Sequence, residues 1–410
     1  ELRDENAQLL FQLQVMFGFM KFSQKRYYDT VPFCRAFIDY DGQPVSMSEQ
    51  KDINEFAGML FDKLEHNKEA AALLANTIQG KIVYRTRSIE TSYRSEREEN
   101  FYMLTAEVKD KATLEDSLEL FTTEELFSGD NKIEDSETGR KVDALRGCAI
   151  RTLPSTLIIH LKRFEFDLET MNRKKVNDHI AFPTELDMLP YTEEGLQEKE
   201  DQARGDGAVD DGAVPPGDSD GEEEGTGITA PAVVRAEPPR KDRRPAGYYQ
   251  YALKGVVAHV GAIDRGHYYS FIRDPEKAGS GSWLEFNDRS VLPFNPDAIP
   301  AECFGGKDEY VNANGVACTR VRENSAYLLV YERIGECSTS LRRSLRSLSI
   351  DETTPRRAIS KPVMKAVSKE NAEFQRDRFR FHPLHFAFVW QLQQIQAVNM
   401  LLSSLRAPKP

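Results

Sequence analysis

The chain has 410 residues, 40% of them hydrophobic, which suffices for two ordinary domains or for one large domain with an insertion. No apolar run approaches the ~20 residues that a membrane helix needs. The formal net charge of −12 is concentrated, because Glu193–Gly225 alone holds 13 acidic and 2 basic side chains. The remainder is near neutral, which excludes a nucleic-acid binder driven by phosphate contacts.

No basic-then-apolar leader opens the sequence. It opens on Glu1 rather than a methionine, which suggests a piece cut from a longer protein. The five cysteines, Cys34, Cys148, Cys303, Cys318 and Cys337, show no CxxC spacing. An odd number without an export signal points to reduced thiols, in the cytoplasm or nucleus.

In chain order, Leu9, Leu13, Met16, Phe17 and Met20 recur at helical spacing and predict a helix over Leu2–Phe22. A second helix is predicted over Ser48–Leu64, with Ser48 as N-cap and an apolar stripe through Ile53, Phe56 and Leu64. From about Lys81 the pattern shortens. Phe101–Val108 reads as a strand, and Thr113–Phe121 as a short helix whose Thr113 and Asp116 fit a capping box. The run Thr156–Leu161 has the composition of a strand buried on both faces, with His160 inside it as a core residue. Glu193–Gly247 is rich in Gly, Pro and acidic residues and is expected to be a disordered insert. Strands resume at Tyr249–His259, His267–Arg273, Trp283–Asn287 and Ala326–Glu332. After a linker from about 334 to 360, helices are predicted at Asn371–Phe388 and Val389–Leu405, split near Pro383.

The chemistry-bearing stretch is Val256–Val291. Two apolar–aromatic segments flank a Gly-, Ser- and Pro-rich loop, a hairpin signal. Folded about Lys277, the hairpin sets His267 opposite Asn287, so that an amide can orient one imidazole nitrogen while the other serves as a general base. Gly266 lets the backbone approach whatever lies before His267. Spacing alone leaves open a surface hairpin with an exposed histidine.

GHYYSF, WLEFND, LPSTLIIHLKRFEFD, VNDHIAFPTELDM and SAYLLVYER occur in the order found in ubiquitin-specific proteases, and QKDINEFAGMLFDKLE resembles a helix of that family. AECFGG and KENAEFQRDRFRFHP resemble its very large fat-facets-type members. The resemblance implies an α+β, papain-like fold: helical thumb, antiparallel β palm and fingers over 1–333, then a C-terminal helical extension over 361–410. It implies a thiol-dependent deubiquitinase with ubiquitin and ubiquitinated proteins as partners and no cofactor; neither nucleic acid nor membrane is expected. His267 matches the general base and Asn287 the orienting residue, with Asp288 beside it. Asp52, His259, Gly266, Tyr268 and Tyr269 match positions along the ubiquitin tail.

Two departures stand out. The family's nucleophile sits in a Gly–x–x–Cys box that this sequence lacks, and the oxyanion-hole Asn or Gln is absent with it; an incomplete chain is the simplest account, an inactive ubiquitin-binding scaffold the alternative. Many members also carry two CxxC pairs that bind zinc in the fingers. The matching positions here are Ser88, Thr91, Asp135 and Thr138, so no metal is expected and the fingers should be held by packing alone. The spaced Arg and Ser residues of Arg342–Ile350 form a candidate phosphorylation site, or a solvated basic linker.

Overall fold

The computed structural model describes residues 5–25, 27–46, 51–136, 138–169, 171–205, 244–263, 265–274, 282–311, 316–334 and 360–406. The chain opens with helices α1 (Glu5–Phe22), α2 (Val31–Ala36), α3 (Ile53–Glu65) and α4 (Lys68–Thr77). Then come β1 (Gly80–Ser88), β2 (Arg94–Phe101), β3 (Met103–Glu107), α5 (Leu114–Thr122), β4 (Glu125–Phe127), β5 (Ile133–Glu134), β6 (Lys141–Val142) and β7 (Ala144–Thr152). β8 (Thr156–Lys162), β9 (Phe164–Asp167), β10 (Asn172–Lys175), β11 (Glu185–Asp187) and α6 (Glu193–Gly205) follow. The rest comprises β12 (Gln250–Ala262), β13 (Arg265–Arg273), β14 (Trp283–Asn287), β15 (Ser290–Phe294), α7 (Ile299–Cys303), β16 (Lys307–Val311), β17 (Ala317–Val321), β18 (Ser325–Arg333), α8 (Lys361–Arg380) and α9 (Pro383–Arg406).

These elements sort into two compact units, Glu1–Leu74 with Thr339–Pro410, and Ala75–Ser338. In the first, Leu9 of α1 packs with Phe33, Phe37 and Met59. One turn and a half further on, Val15 and Phe19 pack instead against Val363 and Val367 of α8. Gly18 marks the crossing: a Cβ there would lie 2.9 Å from Val363 Cγ1, so only glycine allows the approach. Asn371 closes the end of α1, with its Nδ2 donating to Phe22 O at 3.1 Å. The first unit is helical throughout among its described regular elements.

The second unit is built on a mostly antiparallel sheet in the order β15-β14-β13-β12-β18-β8-β3, with β11 added to β12 and only β3 running parallel to its neighbour. Its middle strands are the apolar ones: Leu157, Ile159 and Leu161, on one face of β8, are fully buried, whereas Thr156, Ile158 and Lys162 on the other are only half-buried, so the expectation of a strand buried on both faces is corrected to one face fully buried. A four-stranded sheet, β2-β1-β7-β4, joins the same core through Ile82, Phe101 and Ile150. Buried Arg163 ties three segments together. It donates to Ala326 O at 2.7 Å, Val176 O and Asp178 O at 3.0 Å, and Phe304 O.

Several sequence expectations need correction. Ser48 lies outside the described residues, and α3 begins at Ile53 with Asp52 as its N-cap, accepting from Asn54 N and Glu55 N. Phe101–Val108 is two strands, β2 ending at Phe101 and β3 starting at Met103. The break near Pro383 is present, but α8 starts at Lys361, ten residues before the predicted helix, and α9 runs from Pro383 without interruption. The acidic insert does not begin at Glu193. Glu193 and its successors form α6, because the Glu193 carboxylate, 4% exposed, receives Arg151 Nε at 2.7 Å and Nη2 at 2.8 Å, with Arg85 adding a further bond. Charge that composition assigns to solvent is neutralised here by paired guanidinium groups. Residues 206–243 and Arg342–Ile350 lie outside the described residues.

Candidate active site

β12 and β13 form a tight antiparallel pair that sets Val260 across from His267 and Gly261 across from Gly266. β13 then pairs with β14 from Ser270↔Phe286 to Arg273↔Trp283. Extending that register by one residue sets Tyr269, not His267, across from Asn287. The sequence register is therefore displaced by two residues. Because side chains alternate with a period of two, the displacement keeps His267 on the face of Asn287, where a slip of one would have lost it. The two meet on the diagonal, with His267 Nε2 at 2.8 Å from Asn287 Oδ1. The hairpin tip with Lys277 lies outside the described residues.

Asn287 Nδ2 in turn donates to Glu285 Oε1 at 3.3 Å. Asp288 stands at φ +51°, a left-handed conformation that aspartate tolerates, and its Oδ1 is 3.9 Å from Nε2. Asp288 is 78% exposed, so it touches the ring more weakly than Asn287 does. The Tyr269 ring lies parallel to His267 at 6.4 Å, and burial, then the nearby Cys303 and Glu302, push its phenol pKa up. His267, Tyr269, Glu285 and Asn287, with Glu302 and Asn324, line a groove of about 380 Å³.

The opposite face of β13 is aromatic. Tyr268 points there and packs at 4.8 Å on His259, which also meets Phe164 edge-on at 5.2 Å. His259 is 2% exposed, and its ring covers Gly266 so closely that a Cβ would lie 1.9 Å from Nε2. The close approach at Gly266 is thus to His259 on the opposite face, and not to anything in front of His267 as expected. Lys175 fastens the turn behind it, donating from Nζ to His259 O at 3.1 Å, Gly261 O at 3.2 Å and Glu323 O. Burial, and then Arg163, lower its pKa to about 8.

The family profile of ubiquitin carboxyl-terminal hydrolases matches residues 1–331. The chain belongs to this family. It is similar to mouse ubiquitin carboxyl-terminal hydrolase 34, with 31% identity over 395 residues covering 93% of this chain and 10% of that protein. It is similar to ubiquitin carboxyl-terminal hydrolase puf of Drosophila melanogaster (33% over 336 residues, 79% of this chain and 8% of the relative) and to human ubiquitin carboxyl-terminal hydrolase 24 (32% over 341 residues, 80% and 12%). The chain therefore spans about a tenth of the length of these relatives. Sheets and helices together form the papain-like α+β fold of the ubiquitin-specific proteases.

Two cysteines of the second unit, half-buried Cys148 and buried Cys303, are poorly suited to ionise. Cys148 donates its thiol to Phe121 O, and burial raises its pKa to about 11. At pH 7 about one in 10⁴ such thiols is ionised. Cys303 is fully buried and shifted upward by the same cause.

The zinc-matching positions of the fingers do come together, and they are joined by hydrogen bonds as well as packing. Thr91 Oγ1 donates to Asp135 Oδ2 at 2.9 Å, and Thr138 N to Asp135 Oδ1 at 3.2 Å. Ser88 Oγ accepts from Glu90 N and Thr91 N at 3.0 and 2.9 Å. The Asp135 side chain is 1% exposed, so the expectation of packing alone is corrected to a hydrogen-bonded clasp. Among the described residues no group of three or more His, Cys, Asp or Glu side chains is placed to hold a metal ion. No described helix is long and apolar enough to cross a membrane.

Sequence reading missed Glu285 and Lys175. Glu285 was reachable: in a strand, the residue two before Asn287 shares its face. Nothing in the sequence near Lys175 points to the three carbonyls it holds, which come from residues 84 to 148 positions away.

Proposed function

We propose that this chain is the base-bearing part of a deubiquitinating cysteine peptidase, which hydrolyses the bond after the C-terminal glycine of ubiquitin on ubiquitinated proteins. The observation that carries the reading is the 2.8 Å contact of His267 Nε2 with Asn287 Oδ1. An amide oxygen only accepts, so Nε2 carries the proton and Nδ1 keeps a lone pair. Nδ1 takes the thiol proton as the thiolate attacks the glycine carbonyl, then delivers it to the departing lysine amine. Water, deprotonated by the same nitrogen, attacks the thioester of the acyl-enzyme; ubiquitin leaves with a free C-terminal carboxyl group and the sulfur departs, recovering its proton from the imidazolium.

In this reading the thiol is neither Cys148 nor Cys303, and the full-length protein supplies it. Tyr269 beside His267, and Asp52, Gly266 and Tyr268 by family resemblance, are the proposed contacts of the ubiquitin tail, whereas His259, 2% exposed, serves as packing behind them. The chemistry requires no organic cofactor and no metal. A thiol nucleophile suits a reducing compartment, the cytoplasm or nucleus. Residues 1–333 would be the catalytic region, 334–360 a linker and 361–410 a helical extension.

The test uses the full-length protein containing this chain, ubiquitin bearing a C-terminal electrophile, and a ubiquitin–fluorophore amide. An adduct is expected, and His267→Ala should lower kcat by about 10²–10⁴-fold. No adduct, or a His267→Ala variant with wild-type turnover, would sink the proposal.

A further inference from the structure

We infer that Glu285 is a positioning residue that decides which end of the Asn287 amide faces His267, and thereby which imidazole nitrogen carries the proton. The inference rests on reading His267 as the base. It starts from an ambiguity peculiar to asparagine in this position. A carboxylate presents an acceptor whichever way it turns, whereas an amide has an accepting end and a donating end.

With Oδ1 toward His267, the ring must hold its proton on Nε2, and Nδ1 is free to act as base. With the amide reversed, Nδ2 donates to Nε2, the proton moves to Nδ1, and the nitrogen that should receive the thiol proton is already occupied. Nothing in the His267–Asn287 pair itself excludes the second state, because each nitrogen can be donor or acceptor.

Glu285 breaks the symmetry. It lies two residues before Asn287 on β14, hence on the same face. Its Oε1 is 3.3 Å from Asn287 Nδ2. A carboxylate only accepts, so this contact is attractive with Nδ2 toward Glu285 and repulsive with Oδ1 there. Turning the amide would keep a hydrogen bond to His267 in the other tautomer but would replace the Glu285 bond with a contact between two acceptors. Asp288 does not substitute for this function: it approaches Nε2 at 3.9 Å from the exposed side and leaves the amide orientation to Glu285. The chain Glu285–Asn287–His267 thus transmits a fixed charge into a fixed tautomer.

The experiment compares wild type, Glu285→Leu, Asn287→Asp and the double variant. Long-range proton–nitrogen spectra of ¹⁵N-histidine-labelled 410-residue chain, with His267→Ala for assignment, report the tautomer without any turnover. Wild type should show a proton on Nε2 alone, Glu285→Leu a mixture of tautomers, and the double variant Nε2 alone again, because an aspartate needs no orienting. In the full-length protein, kcat on the ubiquitin–fluorophore amide should fall about tenfold in Glu285→Leu, with KM unchanged. Adding Asn287→Asp should restore it, although Asn287→Asp alone, with two carboxylates side by side, should be slower than wild type.

A merely structural role for Glu285 would give a loss that Asn287→Asp does not repair, which would overturn the inference, as would an unchanged tautomer in Glu285→Leu. If the tautomer shifts as expected while full-length wild type fails to hydrolyse ubiquitin conjugates, the functional reading falls and the positioning role stands.

Discussion

Asp135→Ala probes the hydrogen-bonded clasp that joins Thr91, Asp135 and Thr138. The carboxylate accepts from Thr91 Oγ1 at 2.9 Å and from Thr138 N at 3.2 Å. Hydrogen bonds to a charged acceptor contribute about 1.5–3 kcal/mol each, so their loss alone amounts to about 3–6 kcal/mol. Removing a carboxylate that is 1% exposed also relieves its desolvation, which offsets several kcal/mol. The net is about 1–3 kcal/mol. It should be felt locally, because β5 and β6 share only the pairs Ile133↔Val142 and Glu134↔Lys141. Native-state hydrogen exchange of residues 88–93 and 133–142 is the assay. The variant should lose about 10–100-fold in protection there, while the core strands keep theirs. Unchanged protection at the tip would show that Asp135 holds nothing, and stoichiometric zinc in the wild-type protein would refute the hydrogen-bonded clasp outright.

Two further expectations concern the frame around His267. Gly266→Ala should lower stability by about 1–3 kcal/mol, since its Cβ meets His259 Nε2 at 1.9 Å; His259→Ala in the same chain should recover part of that in a thermal melt, and no recovery would show that the ring is not the obstacle. For Lys175, burial places the folded pKa near 8 against an ordinary 10.5, so between these values the unfolded chain holds more protons than the folded one. Its unfavourable contribution is fully present below about pH 8 and fades as pH rises toward 10.5. Denaturant unfolding of wild type and Lys175→Met at pH 7 and pH 10 should show the balance shifting toward wild type at the higher pH, and a flat or reversed difference would count against a buried ammonium.

The legible parts of this chain are those in which local chemistry and tertiary role coincide. β8 shows itself as an unbroken apolar run, and α5 through a capping box that the structure forms in full, with Thr113 and Asp116 each bonding the other's backbone. The partnership of His267 with Asn287 was readable because alternation tolerates the two-residue error in the hairpin midpoint. What stayed hidden depends on distant partners. β2 is RSEREENF, without an apolar face, and its Glu96 is instead bound by Arg85 of the adjacent β1 and Arg151 of β7 beyond it. α6 looked like solvated acid until two arginines from elsewhere in the chain met Glu193. The Asp52 carboxylate, singled out for ubiquitin, also caps α3, a local duty that the Ser48 assignment concealed.

The pairing of α1 with α8 bears on how the protein can be shortened. Val363 and Val367 are each 1% exposed and rest on Val15 and Phe19, while Asn371 and Glu370 bond Phe22 O and Lys25. A fragment stopped at residue 331, where the family profile ends, would strip this cover from the opening helix. The bared Val15 and Phe19 would become a sticky seam, and losing the Asn371 bond would let the last turn of that helix fray. The shortest soluble fragment should therefore run through Arg380: the C-terminal stretch that looks dispensable acts as the missing flank of the first helix.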